Sequence, residues 1–351
     1  MKVSSFHALL VAAASLLAHA TADFKVSPGE VTKIATSKHV NYVKQWTLNA
    51  SGKTDSVNSI DLSLAGNAYV SYVKGLPVGV IGYVNVSSDS RGVVNAVTVS
   101  KDVDNELDDD ADDMFDSDNN GGELKVWFGN KADSGYMLTE IFLASPRAVH
   151  EVKSQGSVSV VIEKDVFVSN NERAELQIEA IGSSAVYVSA PAVAVSVMEL
   201  SLDAKGSAFI EYNVESLSAS ELSMEAQGTS SIAVLASTVV TSQLDLDVGL
   251  KSSGCFSAEN MKATQRKIKG KVSMPNSSKK FGTTGTATCA ASKLPPRKAA
   301  RITDTTSTGT NRFFDDDDND DNDLDDMFDN DRDDEDDFDS DINDDIDNSL
   351  D

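Results

Sequence analysis

The chain has 351 residues, of which 40% are hydrophobic and 6% aromatic, with a formal net charge of −26. Two cysteines exclude a disulfide framework as the basis of the fold, and four histidines leave little for general acid–base work or a histidine metal cluster. The charge is uneven: residues 102–118 hold ten acidic groups and 315–351 hold 22 with one Arg, a sum of −31, so the remainder carries about +5 (−26 + 31).

The N-terminus reads Lys2, an apolar run from Ala8 to Leu17, and Ala20-Thr21-Ala22 before Asp23. This is the pattern of a secretory signal peptide (1–22) cleaved after Ala22. The run is too short to cross a bilayer, which takes roughly 20 apolar residues, so no membrane span is expected and the destination is extracellular. In that compartment Asn49, Asn85 and Asn276, each in an N-x-S sequon, are candidate glycan acceptors on surface loops, and Cys255 is expected to pair with Cys289.

The first folded signal is Ile60, Leu62, Leu64, Gly66, Val70 and Tyr72, apolar positions spaced by two on both sides of a glycine. An acidic insert, 102–121, then separates a strand-like Val94–Val99 from Leu124–Phe128; a block of like charge cannot enter a core and is expected as an exposed loop. Within it, Asp116, Asp118 and Asn120, followed by Gly121, match the first half of a calcium loop. Trp127 stands where the bidentate Glu belongs, which excludes a complete EF-hand. No resident cofactor is expected; weak, multi-ion Ca2+ binding by the aspartates is.

The most informative feature is a repeat. Glu175–Val188, Glu199–Tyr212 and Glu221–Val234 align without gaps, starting 24 and then 22 residues apart. Around the shared Gly182, Gly206 and Gly228, apolar residues fall at −6, −4, −2, +4 and +6. Period-two spacing on each side of a glycine predicts two half-buried strands meeting at a corner, where glycine tolerates positive φ and a small Ser or Thr lets neighbouring corners approach. Val152, Gly156, Val160 and Ile162 form a further copy with His150 at −6, and Leu244, Leu246 and Val248 a weaker one with Leu250 in place of the glycine. Coils of 22–26 residues predict an all-β chain folded as a β-solenoid, like a parallel β-helix. Hairpins of a sandwich give similar spacing, but recurrence with the same facing favours stacking.

Stacking places Glu175, Glu199 and Glu221 in one outward column and Glu179, Asp203 and Glu225 in another. Such a ladder is either a solvated face that keeps the strands soluble or a site for a cation or basic ligand. Catalysis would need convergent carboxylates or a base on adjacent coils, and it is the least supported reading.

Between Lys262 and Arg301 lie eleven Lys or Arg and no acidic residue, with Pro275, Pro295 and Pro296 interrupting regular structure. With one aromatic, Phe281, the stretch does not support nucleic-acid stacking. Its expected partners are anionic glycan, phospholipid or the acidic tail folding back. Residues 23–290 are expected as the solenoid domain, 291–314 as a linker and 315–351 as a disordered acidic tail. In the tail Phe338, Ile342, Ile346 and Leu350 recur every four residues, a spacing suited to folding on a basic partner.

The repeats, and Ile141–Ile162 (IFLASPRAVHEVKSQGSVSVVI) in particular, resemble the head GIN domain found in putative auto-transporter adhesins, in which a strand ending in proline, a leading apolar residue and a Gly-Ser corner recur. Ala190-Pro191-Ala192-Val193 with Leu200-Ser201-Leu202 resembles another such unit. The resemblance covers roughly 55–260 and implies a solenoid-like fold with an adhesive surface role; it carries over no catalytic residues. The sequence thus predicts a secreted, non-enzymatic, adhesin-like protein that contacts a cell-surface or extracellular glycan or protein. The alternatives are a calcium- or polycation-binding acidic protein and, third, a secreted carbohydrate-active enzyme.

Overall fold

The computed structural model describes residues 24–101, 122–276 and 289–303, apart from 38, 53, 54 and 133. The expected signal peptide (1–22), the acidic insert with Asp116, Asp118 and Asn120, residues 304–314 and the acidic tail lie outside the described residues.

The chain is almost all strand: β1 (Phe24–Pro28), β2 (Thr32–Ser37), β3 (Val40–Ala50), β4 (Val57–Tyr72), β5 (Val80–Ser88), a short α1 (Arg91–Ala96), β6 (Val97–Lys101), β7 (Gly122–Phe128), β8 (Gly135–Leu143) and β9 (Glu151–Glu163). It continues with β10 (Glu175–Gly182), β11 (Ala185–Gly206), β12 (Phe209–Ala226), β13 (Ser231–Leu235), β14 (Thr238–Val248), β15 (Ser253–Ser257), β16 (Asn260–Lys269), β17 (Val272–Ser273) and β18 (Ala300–Ile302).

These strands form a β-solenoid of about five turns with coils of about 24 residues. Each coil contributes three segments, seen in the pairing of β11 with β12: Glu199–Ala204 beside Glu221–Ala226 on a first face, Ala185–Ala190 beside Phe209–Val214 on a second, and Ala194–Val197 beside Ser216–Ala219 on a third. All run parallel and in register, so the apolar set of one coil lies on that of the next. Leu200, Leu202, Ala204, Ile210, Tyr212, Val214 and Leu217 are buried, followed one coil later by Leu222, Met224, Ala226, Ile232, Val234 and Val239. Because side chains alternate across a strand, a slip of one residue would turn this entire set to solvent, and the repeat therefore fixes the register.

The glycines sit at corners as expected. Gly206 has φ +81°, and a Cβ there would lie 2.9 Å from the Gly182 carbonyl oxygen of the preceding coil. The hydroxyls beside them do more than allow close approach: Ser183, Ser207 and Thr229 donate to the carbonyls of Gly156, Gly182 and Gly206 at 3.0, 3.0 and 3.2 Å. One ladder of side-chain hydrogen bonds thus runs along the corner parallel to the stack.

Three expectations are corrected. The parallel stack begins at β4, not at residue 23, because β1, β2, β3, β5 and β6 pair antiparallel and close the N-terminal end. The copy at 60–72 is offset by two residues from its alignment, with Leu64 opposite Gly156 and Gly66 opposite Val158. A shift of two preserves facing, so the core is unaffected. Finally, the expected linker from 291 is not free over 291–303. After the Cys255–Cys289 disulfide (Cα–Cα 5.8 Å) the chain runs as a strap across the second face and ends as β18, antiparallel to β8. Leu294 and Ala299 pack onto the cluster of Tyr69, Leu138 and Val161 along the way.

Candidate functional site

The first face presents outward side chains in columns, because in-register parallel strands repeat at about 4.8 Å. One column runs Glu175, Glu199, Glu221, Gln243, Gln265. The next but one runs Lys125, Asp61, Lys153, Glu179, Asp203, Glu225, Asp247, Lys269. Both predicted carboxylate ladders are therefore assembled, and the structure separates their chemistry.

The second ladder is compensated from within the face at Glu179, Asp203 and Asp247. Lys153 Nζ lies 3.1 Å from Glu179, Lys205 bridges Glu179 and Asp203 at 3.4 and 3.1 Å, and Lys269 meets Asp247 at 2.8 Å. The first ladder has no such compensation: among the described residues its one polar side-chain contact is the Gln243 amide donating to Glu221 at 2.9 Å. Glu199 lies between two glutamates, and burial, followed by repulsion from Glu221 and Glu175, pushes its pKa above the ordinary carboxylate value. Asp203 is pushed the same way, chiefly by burial, against the opposing pull of Lys205.

The basic stretch is divided between faces. Lys267 pairs with Asp245 at 3.0 Å on the first face, and Arg297 pairs with Glu140 and Glu163 on the second. These partners are distant in sequence, and nothing in the local pattern marks them. The candidate glycosylation sites differ in setting from the expected loops. Asn49 lies in β3 and bonds Ser27 Oγ at 3.2 Å, and Asn85 lies in β5 and accepts from Gln45 at 2.9 Å, both half-buried. Asn276 is exposed in the turn after β17, with its amide 2.8 Å from Ser257 Oγ.

Burial lowers the pKa of His150. Among the described residues no group of three or more His, Cys, Asp or Glu is arranged to hold a metal ion.

The fold and its outward columns define a β-solenoid protein with a charged repetitive face. No protein-family model and no curated protein matches the chain. Among solved structures it is similar to a putative adhesin from Bacteroides fragilis, at 14% identity and a TM-score of 0.40, covering 71% of this chain and 96% of that one. A putative cell adhesion protein from Clostridium sporogenes matches at 9% identity and a TM-score of 0.22, covering 70% and 99%. Among the described residues no helix is long and apolar enough to cross a membrane.

Proposed function

We propose that this chain is a secreted, non-enzymatic, adhesin-like interaction protein that engages a surface glycan or protein through the first face of its solenoid. The supporting observation is the column Glu175, Glu199 and Glu221: three carboxylates in register on successive coils, with no ion pair among the described residues, on the same face as a ladder in which lysines do supply compensation. A uniform solvated face has no reason to compensate one ladder and leave another on the same face charged. A ligand offering ammonium groups or several hydrogen-bond donors at the same repeat relieves that repulsion at each coil, and the contributions multiply along the stack.

The test is binding of the secreted chain to immobilised extracellular polysaccharides and to basic surface proteins, with soluble products assayed in parallel. Retention that is saturable and salt-sensitive, with no reducing ends released, is the expected result. Release of sugar would instead establish a carbohydrate-active enzyme. Stoichiometric heat with calcium alone, abolished by E175Q/E199Q/E221Q, would establish the cation-binding alternative.

A further inference from the structure

The strap is read by the solenoid in the way a binding groove reads a peptide. Over residues 292–299 the contacts to the second face are made by side chains, and a backbone ladder forms only at β18. Ser292 donates its N–H to the Glu211 carboxylate at 2.9 Å, and Glu211 is 2% exposed. The Tyr69 hydroxyl donates to the Pro295 carbonyl. The Asn67 amide donates to the carbonyls of Pro296 and Lys298, both at 3.1 Å. Leu294 packs in the apolar cluster of Tyr69, Leu138 and Val161. The guanidinium of Arg297 is held by Glu140 at 2.7 Å and Glu163 at 3.3 Å, over the rings of Tyr69 and Phe142 with centroids at 5.2 and 5.4 Å.

Every element of proline-rich peptide recognition is therefore on one face: an extended Leu-Pro-Pro-Arg segment, aromatic rings beneath it, donors aimed at carbonyls that have no strand partner, and paired carboxylates for its arginine. A structural seam over a sheet needs apolar cover. It does not need Glu140 and Glu163 converging on one guanidinium, or an asparagine spanning two carbonyls. From this geometry we infer that the second face is a docking groove for extended, proline-containing segments that carry an arginine. In this chain the strap fills the groove in cis, and a partner protein bearing such a segment competes with it. The Cys255–Cys289 disulfide anchors the strap at one end, giving the cis segment an effective concentration that disfavours exchange. This surface is separate from the carboxylate column of the first face, so either can fail without the other.

The probe is a fluorescent synthetic peptide spanning residues 289–303 with Cys289→Ser, titrated against the full chain. Saturable binding to C255A/C289S, weaker by about tenfold or more for the oxidised wild type, is expected from loss of the cis anchor. An Arg297→Ala peptide is expected to bind about tenfold more weakly, from loss of a doubly paired, charge-assisted contact. Excess peptide on the intact wild type is also expected to accelerate deuterium uptake across residues 292–299 of the strap, a readout that holds even if the variant folds poorly. No acceleration there, or binding indifferent to Arg297→Ala, would overturn the inference and leave the strap a structural seam.

Discussion

At the residue scale, five buried side-chain oxygens among the described residues lack a hydrogen-bond partner, those of Ser71, Thr139, Ser154, Asp203 and Tyr212, and the last has a measurable consequence. Tyr212 is fully buried, edge-on to Phe167 with centroids 6.3 Å apart, and its hydroxyl has no hydrogen-bond partner. Burial accordingly drives its pKa far up. A buried unpaired hydroxyl costs about 1–3 kcal/mol, so Tyr212→Phe is expected to stabilise the chain by up to about that amount in urea denaturation. The opposite is expected at the corner. Gly206→Ala places a Cβ against the Gly182 carbonyl in a left-handed conformation, at a cost of about 1–3 kcal/mol.

For Glu199 the sign follows from linkage. Its folded pKa lies above its unfolded one, so the native state holds the proton more tightly, and stability falls as pH rises through the interval between the two values. Glu199→Gln is therefore expected to raise the melting temperature at pH 7 and to leave it unchanged well below the ordinary carboxylate range, as read by thermal scans at both pH values.

At the element scale, the last long strand explains part of the basic run that the sequence leaves open. Among the described residues β16 pairs on one side only, with β14, and its exposed positions include Lys262, Lys267 and Lys269. Lysines along an unpaired edge oppose strand addition from another molecule. Replacing all three with threonine is expected to promote self-association, measured by sedimentation or light scattering, and an unchanged monomer signal would contradict this account.

The strap is the element least legible beforehand. Pro295 and Pro296 correctly argue against a ladder strand, but the same prolines read as a linker, because what orders them is Tyr69, Asn67, Glu140 and Glu163, up to 231 positions away. By contrast the disulfide was readable, since two cysteines leave one intramolecular pairing.

At the scale of the whole molecule, the stack was legible because each coil restates its neighbour: Leu176, Leu200, Leu222 and Leu244 follow one another in register, and a glycine marks the corner in all but the last. The antiparallel N-terminal end was not, because Trp46 and Leu48 belong to no repeat and their partners in β5 are set by tertiary pairing. The carboxylate columns were visible as spacing alone. Which of them is compensated was not, since Lys153 and Lys205 reach Glu179 only when β9, β10 and β11 stack.

That difference between two columns of one face is tested most directly by a paired substitution. Binding of the chain to the immobilised polysaccharides and basic proteins of the proposed assay would be measured for E175Q/E199Q/E221Q and for E179Q/D203N/E225Q, with folding checked by circular dichroism. A loss of about tenfold or more in affinity is expected for the first triple variant, from removal of several charge-assisted contacts, and little loss for the second. Equal affinities for the two variants, or no loss in the first, would contradict the proposed function.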